Sequence, residues 1–588
     1  MRRAWPGIAA QFFVGSGEGF SSARGRLRGV AGAIALGLCG CLATPPSGTQ
    51  ATAPEDAASE VGEVVEPSRA LVGLYKPGEI RGFTFIQGGE QIGRSFGRYD
   101  GPVQRDGQTL HKFSTLVELL PPGGKPLRFA AELLIDARGD LVEGWERSMA
   151  AELRFAVQPS QSLLNIEADA GLDAVEKAEL GYEPGTAYMG YMSTIHEELM
   201  LALRELKVGD NEWRLISLSA GRADPWSAKV KREGETVVLD TSLGEEIWLE
   251  SGRITRIEVP DDELVVTPIV HPQWPDWEVT GPTALTYKMP AGASFSIRDV
   301  ELPGQQDDPV LRGEVLVPDP AVHGKGPYPA VVFLGGSVSA DRHGFAGPPA
   351  VDLGYHEITD ALANAGFVVL RYDERGVGQS EDAEPSWVGQ RTDARRAFRT
   401  LLVQPEVDPD RVIAVGHAEG GWRALSLAAE RPREIIGVAL LATLGRSYRE
   451  LFAAQKDILT ALETGTGLPK QLQPMAQWYG EILVEDPEAL VFRALVPMWI
   501  AQGGKDFETD PVKDLAALSA AARKYKRDAT IERFPELDHH FKREEGVSNQ
   551  TSYLEPRPVD PAFLDALVGW TKTLASKAKA KTKAKPKK

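Results

Sequence analysis

Two rhythms of apolar and polar residues divide the chain. From about 69 to 290, short alternating or apolar runs recur between turn signals. Examples are Phe83-Thr84-Phe85-Ile86, Leu116-Val117-Glu118-Leu119-Leu120, Thr236-Val237-Val238-Leu239 and Ile254-Thr255-Arg256-Ile257-Glu258-Val259. Turns such as Arg138-Gly139-Asp140 and Arg232-Glu233-Gly234 separate them, which predicts an antiparallel curved sheet or open barrel. Within it, Ala174–Leu180 and Ile195–Leu206 read as helices. From about 291 to 575, buried strands alternate with amphipathic helices, the α/β pattern. Ala330–Leu334, Phe367–Tyr372, Arg411–Val415 and Met498–Gln502 are the strands; Ile358–Ala365, Thr392–Val403 and Trp422–Glu430 are the helices. Residues 445–490 form a mostly helical insertion.

Composition adds limits to this picture. Of 588 residues, 42% are apolar and 25% charged, as in globular proteins, and no run of about 20 apolar residues predicts a spanning helix. The net charge of −18 understates the acidity of most of the chain, because 571–588 carries eight lysines and no acids. An acidic body argues against nucleic acid as a partner. The Lys-rich segment 576–588 reads as a disordered tail, and 41–68, rich in Ala, Pro, Ser, Thr and Glu, as a flexible tether.

The N-terminus reads as an export signal over 1–40. Arg24, Arg26 and Arg28 precede the short apolar run Val30–Leu38. Leu38-Cys39-Gly40-Cys41 resembles the bacterial lipobox, and Gly40 makes Cys41 the better fit for lipidation. The other reading is an ordinary secretory signal with incidental cysteines. Cleavage before Cys41 would leave one cysteine, excluding an internal disulfide. The lipobox resemblance implies a lipid anchor in the cell envelope. Leu42 after the cysteine would favour the outer membrane of a two-membrane bacterium; without the anchor, the protein would be secreted or periplasmic.

The candidate chemistry lies in 336–541. Gly416-His417-Ala418-Glu419-Gly420 has the G-x-S-x-G frame of a nucleophile elbow, between a β-branched strand and a helix, with alanine at the serine position. Around it stand Gly336-Ser337-Val338-Ser339-Ala340-Asp341-Arg342, Tyr372-Asp373-Glu374-Arg375-Gly376-Val377-Gly378-Gln379-Ser380, Gln502-Gly503-Gly504-Lys505-Asp506 and Leu537-Asp538-His539-His540-Phe541. In this order, the segments resemble the motifs of α/β-hydrolases of the carboxylesterase and serine-aminopeptidase-like type. The resemblance implies a mostly parallel sheet with helices on both faces and a helical cap at about 445–490, preceded by the mainly antiparallel β domain.

It also implies roles. His539, rather than the adjacent His540, aligns with the family's general base. Asp506 would orient it, although an aspartate after a strand also serves as a helix cap. The backbone N–H groups of Ser337 and Glu419 would form the oxyanion hole. Ser337, Ser339 and Ser380 are not on an elbow and make poor substitute nucleophiles. No metal or cofactor is implied, and no catalytic cluster is visible in 69–290.

Three functional readings stay open. The chain is a pseudo-hydrolase binding a small acyl or ester ligand or a partner. Alternatively, it hydrolyses carboxylic esters or related acyl substrates with the His–Asp pair and water. In the third, Ala418 stands where the natural protein has serine.

Overall fold

The computed structural model describes residues 63–584 apart from 67, 122–124, 172–174, 219–220, 306–307, 337–339, 348–349 and 469–471. The expected signal, Cys41, most of the tether and Ser337 lie outside the described residues. The chain divides into two compact units, with the boundary in the linear sequence at Ala284/Leu285; the sequence pattern put it at 290/291.

The first unit is built on one 15-stranded sheet. Neighbouring strands run antiparallel except for Ala187–Met189 beside Gly209–Ser217, which is parallel. The alternation of the sequence is kept in the burial: Phe83 and Phe85 on Ile80–Gln87 point into the core, as do Leu153 and Phe155 on Glu152–Gln158. The helix Thr194–Ala202 is buried along its whole length. Such a helix needs its polar groups satisfied. Glu198 receives Arg81 Nη2 at 2.7 Å, Arg253 Nη1 at 3.1 Å and the Ile254 amide at 2.8 Å.

One expected helix is corrected here. Glu176–Gly181 is a strand paired antiparallel with Leu163–Asp169, not part of a helix over 174–180. Glu, Lys, Ala and Leu favour helix in isolation, but alternate residues of Glu176–Gly181 are more exposed, as on a pleated strand, and sheet pairing overrides the local preference.

The second unit is an eight-stranded sheet. Its strands are β1 (Phe295–Leu302), β2 (Leu311–Pro318), β3 (Tyr328–Leu334), β4 (Val368–Tyr372), β5 (Val407–His417), β6 (Ile435–Leu441), β7 (Met498–Gly503) and β8 (Ala529–Phe534). They lie in the order β1-β2-β4-β3-β5-β6-β7-β8. β1 and β2 are antiparallel to their neighbours; β3 to β8 run parallel to one another. The central strands are apolar on both sides because both faces are covered. Ala330, Val332 and Leu334 of β3 enter one core, and Val331 and Phe333 the other. Helices α1 (Tyr355–Asn364) and α5 (Pro561–Ala584) cover one face. Helices α2 (Trp387–Leu402), α3 (Glu419–Glu430) and α4 (Lys513–Lys524) cover the other. Four short helices, Tyr448–Leu451, Lys456–Thr464, Ala476–Ile482 and Pro487–Arg493, intervene between β6 and β7.

The Lys-rich tail departs from expectation. Helix α5 continues through Ala584, so residues 576–584 are helical rather than disordered. Alanine and lysine are both strong helix formers, and cations suit a helix C-terminus.

Candidate active site

β5 ends at His417 and α3 begins at Glu419, leaving Ala418 alone to make the turn at φ 50°, ψ −123°. For a residue with a Cβ this is a strained backbone, of the kind that persists only where surrounding packing imposes it. The packing is visible in the flanking glycines. A Cβ on Gly416 would lie 2.2 Å from the Gly420 carbonyl oxygen, and one on Gly420 would lie 2.2 Å from those of Gly335 and Leu334. Strand and helix therefore approach so closely that only a sharp turn fits. The Ala418 amide donates to Leu441 O at 2.8 Å, and Gly421 N closes back on Ala418 O at 3.0 Å. The elbow is formed in full around a methyl group.

The acid and base come from the next strand ends. Asp506 follows β7, and its Oδ1 accepts the amides of Glu508 at 2.9 Å and Thr509 at 2.8 Å. Its Oδ2 meets Gln502 Nε2 at 2.8 Å and His539 Nδ1 at 2.8 Å. The aspartate thus both shapes its own turn and holds the imidazole. His539 lies after β8 in a loop shaped by Asp538, which accepts the amides of His540 and Lys542, each at 2.9 Å. Phe541, at φ 57°, stacks on Phe563 at 3.9 Å and anchors the loop to α5.

The third side is the end of β3. Gly336 N donates to the Tyr355 hydroxyl at 3.0 Å, which also contacts His417 Nδ1 at 3.1 Å. A Cβ on Gly336 would stand 3.3 Å from the Ala418 methyl, so this strand end adjoins the elbow. Ser337, the expected oxyanion donor here, lies outside the described residues. Glu419, the other, opens α3, where backbone N–H groups face the helix N-terminus. Its carboxylate is buried and accepts the Tyr448 hydroxyl at 2.5 Å. Ser380 does not enter the site: its hydroxyl donates to Asp373 O at 2.8 Å and accepts Arg312 N at 3.0 Å.

Two features were not read from the sequence. Glu508 Oε2 lies 3.7 Å from His539 Nε2, the nitrogen that faces a nucleophile in a triad. His417 Nε2 bonds the His539 carbonyl at 2.9 Å, and its ring packs edge-on against His539 at 4.6 Å. Glu508 was visible as a charge two residues after Asp506, but its direction depends on the turn.

His417, His539 and His540 bring ring nitrogens within 4.8 Å of one another, the spacing of a metal-ligand set. Both His417 nitrogens and His539 Nδ1 already have hydrogen-bond partners. Within this stack, His417 and His539 are therefore committed to hydrogen bonds, while His540 Nδ1 finds no partner among the described residues; binding a cation through all three would break at least one of these bonds.

Charge in this stack is unevenly placed. Burial alone would lower His539, but the Asp506 and Glu508 carboxylates override it and push it up to about 10. Burial and the neighbouring His539 charge lower His417 to about 3 and take His540 well below its ordinary value. The two directions predict a pH optimum of stability. His417 and His540 contribute stability above the unfolded histidine value of about 6.5 that is lost as pH falls toward their folded values. The contribution of His539 is full below about 6.5 and is lost as pH rises toward 10. Thermal melts from pH 4 to 10 should peak near neutrality, and His539→Gln should flatten the alkaline limb. A limb unchanged by that substitution would contradict the assignment.

A parallel sheet that lifts a strand–turn–helix elbow beside an acid–histidine pair is the arrangement of an α/β-hydrolase. Comparison with known proteins agrees. The serine aminopeptidase S33 family model matches residues 352–491. Esterase EstD of Thermotoga maritima is 24% identical over 298 residues, covering 47% of this chain and 68% of EstD. Thiohydrolase apmlB of Arthrinium phaeospermum is 34% identical over 93 residues, 15% of this chain and 30% of that protein. An esterase structure from Pyrococcus furiosus aligns over 50% of this chain and 97% of its own, at 16% identity and a TM-score of 0.35. The family-model match and the EstD similarity, with the fold and site described above, support an α/β-hydrolase, esterase-like relationship for the chain.

Proposed function

We propose that this chain is a pseudo-hydrolase: an exported lipoprotein that no longer forms an acyl-enzyme and uses the former active-site pocket to bind a small acyl or ester ligand. The observation that carries the reading is Ala418, a methyl group on a fully formed elbow. Loss of a triad serine costs roughly a millionfold in kcat, and oxyanion-hole and binding effects alone leave only about 10³–10⁴ over water. In this reading Cys41 carries the lipid, the membrane is met through that anchor, and the acidic body takes no nucleic acid.

The alternative is an active ester hydrolase, and the His539–Asp506 contact at 2.8 Å favours it. There, His539 would activate water at the place of the missing Oγ. One assay separates the two. The full chain is incubated with short p-nitrophenyl esters and with a fluorophosphonate probe. The pseudo-hydrolase gives neither turnover nor label. Turnover without label, abolished by His539→Ala, establishes water attack; labelling establishes a nucleophile other than a serine at 418 and removes the first reading. A labelled Ala418→Ser protein beside a silent parent would assign the loss to that side chain, and would fit equally a natural serine at 418. Anchoring is tested separately by mass spectrometry of the exported chain, where a diacylated Cys41 is expected and an unmodified one would refute it.

A further inference from the structure

We propose that Glu508 is a positioning residue that keeps a proton on His539 Nε2, a second block on acyl-enzyme chemistry independent of Ala418. The proposal rests on the reading of His539 as the family's base. A triad histidine works only when Nε2 is empty, because it must accept the nucleophile's proton. Here each ring nitrogen faces a carboxylate oxygen, Asp506 on Nδ1 at 2.8 Å and Glu508 on Nε2 at 3.7 Å. The second distance is that of an ion pair and not of a hydrogen bond.

Little water reaches the pair, since the His539 side chain is 4% exposed and that of Glu508 15%. Screening is therefore weak, and a proton on each nitrogen is favoured. The remaining charged or titratable neighbours do not reverse this. The Glu419 carboxylate adds to the same field. His417 and His540, with rings 4.6 Å and 5.1 Å away, are held neutral. Tyr553 lies against Glu508 as a phenol pushed upward by burial and stays neutral too. Burial also pushes Glu508 upward, opposing its ionisation. Moving the ring proton to Glu508 leaves the net charge unchanged but removes the attraction of the imidazolium for Asp506 at 2.8 Å and for Glu508 at 3.7 Å, so the ring keeps its proton.

The consequence is that serine alone does not complete the site. In the Ala418→Ser protein, reaction with a fluorophosphonate forms an Oγ–P bond. The Oγ proton passes to Nε2 and fluoride leaves, departing with that proton. An occupied Nε2 cannot take it. The test compares labelling rates of Ala418→Ser and Ala418→Ser/Glu508→Gln from pH 6 to 11. The single variant should label slowly at pH 7 and accelerate toward pH 10. The double variant should label at least about tenfold faster at pH 7, with its profile displaced to lower pH by one unit or more.

A second readout needs no serine. In the unsubstituted chain labelled with ¹⁵N-histidine, both His539 nitrogens should be protonated at pH 8, and Glu508→Gln should lower the pH at which the Nε2 proton is lost by one unit or more. The His539 signal is assigned by its loss in His539→Gln. Superimposable profiles for the two serine variants, or a neutral His539 at pH 8 in the unsubstituted chain, would overturn the proposal. Should neither serine variant label, or should Glu508→Gln misfold, the spectrum of the unsubstituted chain decides. Labelling of the unsubstituted chain would instead remove the pseudo-hydrolase reading, leaving the Glu508 comparison to be judged by its own profiles.

Discussion

Replacing Arg423 by methionine is expected to destabilise the α/β unit by about 3–5 kcal/mol, the cost of leaving a buried charge without its partner. Arg423 lies on the first turns of α3 and is fully buried. Its Nη1 donates to Glu374 Oε1 at 2.7 Å, and its Nη2 donates to the carbonyls of Gly335 and Gly336. Glu374, itself buried, belongs to the Tyr372–Ser380 loop. Burial raises Glu374 above the ordinary carboxylate range, and Arg423 opposes that rise. Methionine keeps the unbranched apolar stem but removes the guanidinium and its charge, so Glu374 is left uncompensated. Adding Glu374→Gln should recover much of the loss, because a neutral amide costs less to bury than a carboxylate. Urea unfolding of the four members of the cycle measures this. Additive effects of the two substitutions would refute the coupling.

The second large effect is expected at Gly420. Alanine there places a methyl 2.2 Å from the carbonyl oxygens of both Leu334 and Gly335. Neither obstacle is a mobile side chain; both belong to the end of β3, where movement would pull Gly336 from the elbow. Overpacking a well-filled interior costs typically about 1–3 kcal/mol, and a double backbone clash belongs at or above the top of that range. Gly420→Ala should therefore lower the melting temperature by several degrees or prevent folding of the unit. The helical Gly569 is the control: a methyl there would meet nothing within 4 Å, and its alanine variant should melt no lower than the parent. A Gly420→Ala protein that melts with the parent would show that the elbow can relax.

How much of this was legible follows from what each residue needs. The turn at Ala418 could be read because a β-branched strand, two glycines and a helix start are contiguous. His539 could be placed by its spacing to Leu537 and Phe541, and the structure sets its Nδ1 on Asp506. The helix expected over Ile195–Leu206 is found at Thr194–Ala202, with Leu206–Lys207 a short strand, whereas the strand Glu176–Gly181 was hidden by helix-favouring residues whose partner is Leu163–Asp169. The helical run through 576–584 is masked in the sequence by its charge density, although Ala and Lys both favour helix. Long-range pairs are the true gap. Nothing in the chain's order says that Arg423 meets Glu374 or that Glu508 turns toward His539, since both depend on where separate strand ends converge.

The strained turn at Ala418 carries one more implication. Its shape is dictated by the close approach of Gly416 to Gly420 and of Gly420 to β3, with no contribution from a hydroxyl. Natural selection acting on the fold alone would therefore be nearly blind to an exchange of serine and alanine at this position. A lineage could cross that step in either direction without passing through a misfolded intermediate, and the chemistry of the site could be lost or regained while the architecture stood still.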